Sequence, residues 1–414
     1  MATLVLTLSF TMVLAEGHTV SGSEHHGLLV VTRQVFVDSL TQYIQWKNSK
    51  GFDVYVVTAE WIQDHVDGAD IKVRIRNCIR QYYREEGVSY VMLIGDSVDV
   101  SGPFNDEPPP PTLSENWNLP AGYYSWDSLN GTQYTSLYYS DLSDKVEYNA
   151  TEWNYAGDYA IYVGIVPVRT PSELQIYLTK TINYYTCANL TVVVSGDIPT
   201  PDSEFYYSRI QSLAGSNIST DISFFGTNSS SEEIHEKIFD REAVIYESGH
   251  GNLQLFMIGN VAVTNENASD FRFINPLMLT SSCVVQAYNM YPECLDEAFL
   301  KAPKGPAVIL NGPPWGPIGL TDDLSDLERG FWIDLFARKT IGQALYDHCN
   351  GAWQNPIHLF GDPSLVIFSA SLSRALGGEI LSVNMLQLLA PYLVYAFVVI
   401  GAILSGAKFK RRML

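Results

Sequence analysis

Two short runs of this chain end on side chains that can do covalent chemistry. Ala243-Val-Ile-Tyr-Glu-Ser-Gly-His250-Gly251 comes first, and Pro276-Leu-Met-Leu-Thr-Ser-Ser-Cys283 follows further on. Each reads as a strand that closes on small residues and then presents one reactive group, an imidazole in the first and a thiol in the second. In an open α/β sheet, functional groups gather in the crevice at the carboxyl ends of the strands. Side by side there, a thiol nucleophile and an imidazole proton carrier suit acyl transfer through a covalent intermediate. Taken singly, a Cys after an apolar run is a buried core thiol and a Gly-His-Gly is a loop. The pair carries the catalytic reading, with glycine permitting close backbone approach.

The elements that must position this pair alternate between strand and helix patterns, which implies α/β architecture with a mostly parallel sheet in each of two units. The first unit spans residues 27–185. Gly27-Leu-Leu-Val-Val-Thr32, Phe52-Asp-Val-Tyr-Val-Val-Thr58 and Tyr90-Val-Met-Leu-Ile-Gly-Asp96 are its apolar strands, with helical spacing over 71–83. Pro108 to Pro111 interrupt any strand in 101–124, which reads as a long surface loop. A helix over 172–185 closes the unit, with Ser172 and Glu173 at its start. The second, catalytic unit spans 190–368. It opens with Leu190-Thr-Val-Val-Val-Ser-Gly-Asp197, carries the His and Cys strands, and closes on a strand at Ser364-Leu-Val-Ile-Phe368. Asp362-Pro363 fits a turn before that strand.

At 414 residues the chain is long enough for a full core, and 46% hydrophobic with 17% charged residues marks it as folded. A net charge of −20 repels phosphate and excludes nucleic acid as a partner. Residues 1–15 have the form of an export signal, with Val13 and Ala15 as the small residues before a cut. An uncleaved amino-terminal anchor is the competing reading. Residues 386–407 are uncharged and long enough to span a bilayer as one helix, and Lys408, Lys410, Arg411 and Arg412 follow in the tail 408–414. Positive residues stay cytoplasmic, so the amino-terminal ectodomain is expected at the cell surface or another non-cytoplasmic membrane face. Residues 369–385 would be the spacer. A lipid-anchor signal should end in its hydrophobic tail, not in a basic cluster. Glycosylation sequons at Asn130, Asn149, Asn189, Asn217, Asn228 and Asn267 fit the same exposure.

The five cysteines are Cys78, Cys187, Cys283, Cys294 and Cys349. An odd count outside the cell leaves at least one thiol unpaired. With Cys283 as nucleophile, the other four form up to two bridges or stay reduced and buried. No zinc-ligand spacing occurs, and His358 reads as architecture.

The order of these motifs resembles the gingipain-type cysteine peptidases, related in fold to caspases and legumains, over roughly residues 27–368. The resemblance is carried by the helix-like Phe36 to Gly51, the strands at 52–58 and 90–96, and Asp158-Tyr-Ala-Ile-Tyr-Val-Gly164 with Val166-Pro-Val-Arg-Thr170. The Gly-His-Gly and Cys runs and His358-Leu-Phe-Gly-Asp-Pro-Ser-Leu365 complete it. It implies two caspase-like units with helices flanking mostly parallel sheets. It also implies cleavage of protein or peptide substrates through a Cys283–His250 dyad, with no cofactor required for the chemistry. The backbone N–H groups of Gly251 and Cys283 are the natural oxyanion donors. The resemblance places Asp197 as the acidic group that orients His250, its alternative being a turn or cap residue. It places Glu204, with Asp202 close by, where arginine-cleaving members read the substrate guanidinium; both acids also suit a helix's first turn. Trp315 matches a substrate-packing Trp, and equally suits a core or loop aromatic. Asp141 and Asp144 fall at a family-like position where hard oxygens can hold a structural calcium ion; a solvated acidic turn is the alternative. One departure is Ile165, where the family usually carries Arg. A transamidase using the same acyl-enzyme, or a non-catalytic surface adhesin or receptor on this fold, are the rival readings; a retained free thiol in an oxidising space speaks against the second.

Overall fold

The computed structural model describes residues 26–69, 71–95, 122–126, 131–135, 137–143, 159–184, 186–195, 201–215, 218–226, 228–238, 244–248, 251–252, 254–270, 276–280, 293–311, 326–348 and 358–368. β1 (His26–Thr32) runs through a 3-10 segment, Gln34–Leu40, into α1 (Thr41–Ser49) and β2 (Phe52–Thr58). α2 (Ala59–His65) and α3 (Ile71–Glu86) return to β3 (Val88–Ile94). A hairpin of β4 (Gly122–Trp126) and β5 (Gly131–Thr135) and the turn α4 (Leu137–Ser140) precede β6 (Tyr162–Val166) and α5 (Pro171–Ile182). Next come β7 (Asn189–Ser195), α6 (Pro201–Ala214), β8 (Ser219–Phe225), α7 (Ser231–Ile238) and β9 (Val244–Ser248). A small antiparallel sheet of β10 (Gly251–Asn252), β11 (Leu255–Ile258) and β12 (Val261–Thr264) leads to β13 (Leu277–Thr280) and α8 (Leu295–Lys301). β14 (Val308–Asn311), α9 (Asp326–Phe336), α10 (Ile341–Tyr346) and β15 (His358–Gly361) complete the set.

Local sequence accounts for these elements. β1 and β3 are near-continuous apolar runs buried along almost their whole length, the mark of strands covered on both faces. α3 buries Ile71, Ile75, Cys78 and Ile79 at helical spacing. α5 begins one step earlier than its Ser172 suggests. Thr170 caps it, accepting a hydrogen bond from Glu173 N while the Glu173 carboxylate accepts from Thr170 N, with Pro171 at the first helical position.

The two expected units do not keep separate sheets. Ten strands form one sheet in the order β2-β1-β3-β6-β15-β14-β13-β9-β7-β8. β2, β1, β3 and β6 are mutually parallel, and so are β14, β13, β9, β7 and β8. β15 is the hinge of this arrangement: parallel to β6 through Phe360 and Ile165, antiparallel to β14 over its whole length. The two parallel blocks therefore point in opposite directions. The closing strand lies at 358–361, not at 364–368. Leu365, Ile367 and Phe368 are buried without forming a ladder, and Val366 and Phe368 contribute only isolated bridges to Thr340 and Cys187.

The seam depends on two glycines. A side chain at Gly164 would collide with the Gly361 carbonyl, and Gly361 itself has φ +117°, a conformation L side chains rarely adopt. Ile165 completes the contact as a buried strand residue, 4% exposed. Beyond Gly361, Asp362 is fully buried and pairs with Lys47 of α1, Nζ to Oδ2 2.7 Å. Tyr43 donates to the same carboxylate at 2.7 Å, and Ser364 donates through Oγ at 2.6 Å and through its backbone N at 2.9 Å. Burial alone would raise the Asp362 carboxyl. Lys47 and these hydrogen bonds outweigh it and hold the group below its ordinary value. A second lysine crosses the same seam: Lys180 of α5 donates to the carbonyls of Leu300 and Ala302 at the end of α8, at 2.6 and 3.1 Å.

The described residues all belong to one compact unit, 1–370. Among them no helix is long and apolar enough to cross a membrane. Residues 1–15, 369–385, 386–407 and 408–414 lie outside the described set.

Candidate active site

Four parallel neighbours, β7, β9, β13 and β14, frame the region the sequence points to. Val193 stands beside Glu247, Glu247 beside Thr280 and Thr280 beside Asn311, so the four carboxyl ends are level along one edge. Adjacent strands lie roughly 5 Å apart. The chain leaves β9 after Ser248 for His250, and leaves β13 after Thr280 for Cys283. His250 and Cys283 themselves lie outside the described residues, and so do Asp197 beyond β7 and Trp315 beyond β14. What the structure establishes is the footing: the strands that precede these residues are adjacent and co-directional. Thr280, the last residue of β13 before Cys283, is fully buried, as are Leu277 and Met278 before it.

On the far side of His250 the chain is fixed as well. Gly251 opens β10 and pairs with Phe256. Asn252 Oδ1 turns the hairpin by accepting from Gln254 N and Leu255 N at 2.9 and 3.1 Å. Beyond β12, Asn265 Nδ2 donates to the Glu293 carbonyl at 3.1 Å. Glu293 is where the chain re-enters the described structure after Cys283, immediately before the buried Cys294 and α8. Asn265 thus ties the segment that follows His250 to the segment that follows Cys283. The sequence reading missed this link, because Asn265 precedes a sequon and carries no motif of its own. Glu297 holds the start of α8 by accepting from Cys294 N at 2.7 Å.

Asp202 and Glu204 fall in the first turn of α6, the helix that follows β7; their side chains lie outside the described set. Asp141 is not a solvated acidic residue. It is 1% exposed, with Oδ1 accepting from Ser143 N at 2.9 Å. Asp144 lies outside the described residues. Among the described residues, no group of three or more His, Cys, Asp or Glu side chains could hold a metal ion.

Cys78 and Cys294 are free and buried, and Cys187 is buried as well. Burial pushes the Cys78 thiol up to about 12, and burial with the nearby Glu297 and Asp296 raises Cys294 well above its ordinary value. Cys78 and Cys294 are therefore poor nucleophiles at neutral pH. Cys349 lies outside the described set. Of the sequon residues, Asn189 and Asn228 are exposed, whereas Asn267 spends its amide on the chain, accepting from Thr264 N at 2.7 Å and donating to Ala262 O at 3.3 Å. Asn130, Asn149 and Asn217 are outside the described residues.

Residues 21–368 match the family model described as peptidase family C25. By fold the chain is similar to the Arg-specific cysteine proteinase gingipain R (RgpB), with TM-score 0.57 and 14% identity over 85% of this chain and 80% of that one. A complex of the Porphyromonas gingivalis RgpB pro- and mature domains gives TM-score 0.57 and 14% identity, covering 82% and 79%. No curated protein matches the chain by sequence.

Proposed function

Because the chain belongs to peptidase family C25, a family of cysteine peptidases and so of hydrolases, we propose that it cleaves peptide bonds with Cys283 as nucleophile and His250 as proton carrier. The observation that carries this reading is the level, adjacent, co-directional pair of strand ends at β9 and β13. In the proposed sequence the Cys283 sulfur attacks the scissile carbonyl carbon. The oxyanion is met by the backbone N–H groups of Gly251 and Cys283. As the C–N bond breaks, His250 gives a proton to the leaving amine, and a thioester remains on Cys283. Water then attacks the thioester, and the thiol departs with the acid product formed. Asp197, beyond the end of β7 and next in line to β9, orients the imidazole. The thiol and imidazole carry the chemistry without a cofactor.

Glu204, assisted by Asp202, is the proposed reader of an Arg or Lys side chain before the scissile bond, with Trp315 packing along it. The support is placement: α6 follows β7, whose carboxyl end belongs to the same row. The gingipain R to which the chain is similar in fold is Arg-specific. The export signal at 1–15 and the apolar segment 386–407 with its basic tail support a single-pass protein whose peptidase unit faces outside. On that face Asn189 and Asn228, exposed in the structure, are suited to carry glycans.

Incubation of the full-length protein with an acyloxymethyl-ketone thiol probe and a peptide library tests the proposal. Label mapped to Cys283 and cleavage that disappears in Cys283→Ala are expected. Label on another cysteine, or unchanged cleavage by the variant, would remove the dyad.

A further inference from the structure

The turn around Asp141, where family resemblance points to a cation, is held by side chains of α3 in this chain. α4 ends at Ser140, and Asp141 forms a bridge with Tyr159, so the two roots of the segment between them meet here. Ala160 N donates to Ser140 O at 3.0 Å and strengthens the junction. Among the described residues, the oxygens that a hard cation would take from this turn are the backbone carbonyls of Asp141 and Ser143 and the Asp141 carboxylate. Both carbonyls are already occupied. Arg76 Nε donates to Asp141 O at 2.7 Å, Arg76 Nη2 to Ser143 O at 2.7 Å, and Arg80 Nη2 to Ser143 O at 3.1 Å.

These two arginines lie one helical turn apart on α3, so both guanidinium groups reach the same side of the turn. Arg76 is 6% exposed and packs over the Tyr138 ring, 5.5 Å from its centroid. The planar fork suits two neighbouring carbonyls, and the delocalised charge is more weakly hydrated than an ammonium, which suits burial. A divalent ion at the same carbonyls would face two fixed positive charges at close range and would have to displace them. The described residues of the turn do not fit a calcium ion.

We infer that Arg76 and Arg80 hold the Asp141 turn in place of a metal ion, as a cation built into α3. The Asp141 carboxylate then serves the turn through Oδ1, which accepts from Ser143 N. Its Oδ2, buried and without a hydrogen-bond partner in the structure, is the oxygen that would become a ligand if the guanidinium groups were removed.

Thermal unfolding of the full-length protein, with EGTA or with millimolar CaCl2, tests this. Wild type and Asp141→Asn should show the same response of Tm to calcium. The Arg76→Ala/Arg80→Ala protein should unfold earlier in EGTA, and calcium should return several degrees of the loss; adding Asp141→Asn should erase that recovery. Where the double alanine variant fails to fold, Arg80→Ala alone is measured the same way, and a smaller calcium-dependent gain is expected. A calcium-induced rise of wild-type Tm that Asp141→Asn abolishes would show that the turn binds the ion and overturn the inference. A folded arginine variant with no calcium response beyond that of wild type would overturn it too, since the arginines would not then stand where a cation can.

Discussion

The two halves of the sheet share a strand order and differ in what lies at their strand ends. In the first, β2-β1-β3-β6 places the second strand outside the first and the third on the first strand's other side; in the second, β8-β7-β9-β13-β14 repeats this order. Each therefore has its own switch point, β1 against β3 and β7 against β9, where open α/β sheets place ligands. Because β15 reverses direction between them, the two switch points face opposite edges of one sheet. At the first, the chain spends its polar groups on itself. Thr32 donates to Ile94 O, Arg33 pairs with Glu60, and Thr58 caps α2. At the second, the strands release the His250 and Cys283 runs. One topology thus serves once as scaffold and once as the proposed site, which is the expected relation between fold and function.

The sharpest way to break this comparison is to remove one thiol from each half. Cys283→Ala and His250→Ala should each lower turnover on the order of 10⁴–10⁶-fold while leaving Tm near that of wild type. Cys78→Ala, in α3 of the first half, should leave turnover unchanged. It should lower stability by roughly 1–3 kcal/mol as a buried side chain shrinks. Peptidase assays beside thermal unfolding read both. Loss of activity on changing Cys78, with Cys283→Ala active, would reverse the assignment of the halves.

Specificity should also belong to the second half alone. Glu204→Gln is expected to slow cleavage after Arg or Lys by very roughly 30- to 5,000-fold, the counterpart of about 2–5 kcal/mol for a desolvated charged partner. Cleavage after neutral residues should change little, and Asp202→Asn should do less. Matched peptides with Arg, Lys, Asn and Leu before the scissile bond check this. An unchanged profile, with a modest stability loss, would return Glu204 to its helix-start role.

How much of this was legible follows from the range of each interaction. The strand runs at 27–32, 52–58 and 90–96 and the His and Cys strands are local patterns, and the structure has a strand at each, the third ending at Ile94. The closing strand was misplaced because Leu365, Val366, Ile367 and Phe368 look more strand-like than His358-Leu-Phe-Gly361. What selects the shorter segment is its fit against Gly164 and β14, which no local pattern contains. The same holds for Asp362, read as a turn residue and found beneath Lys47 and Tyr43. The burial of Asp141 was not legible because Arg76, which donates to its carbonyl, lies far away in sequence. Merging of two sheets into one was hidden for the same reason.

The Lys47–Asp362 pair decides whether the halves can be treated separately. Asp362→Asn or Lys47→Met leaves one charge buried without its partner, a loss of roughly 3–5 kcal/mol. Replacing both with apolar residues of similar volume should recover most of it. The carboxyl sits below its ordinary value in the folded state, so its contribution is present above the unfolded value of about 3.9 and is lost as pH falls through the folded one. Wild-type stability should therefore drop in acid below about pH 4, and the doubly apolar variant should drop less. Denaturant midpoints across that range measure it. Equal acid sensitivity in both proteins would place the titrating group away from the seam.

Lys180 adds a second pH dependence of the same sign, in a higher window. The residue is half-buried, its amine donates to the Leu300 and Ala302 carbonyls, and burial lowers it from 10.5 to about 7. Between those values the unfolded chain holds more protons than the folded one, so the folded state gains stability as pH rises through the window. Lys180→Met carries no such group. The difference in urea midpoint between wild type and Lys180→Met should shift steadily in favour of wild type from about pH 7 to pH 10. A difference that stays flat would mean that the ammonium keeps its proton in the fold. Water would then reach the seam at α5 and α8, and the two halves would be joined there more loosely than at Lys47 and Asp362.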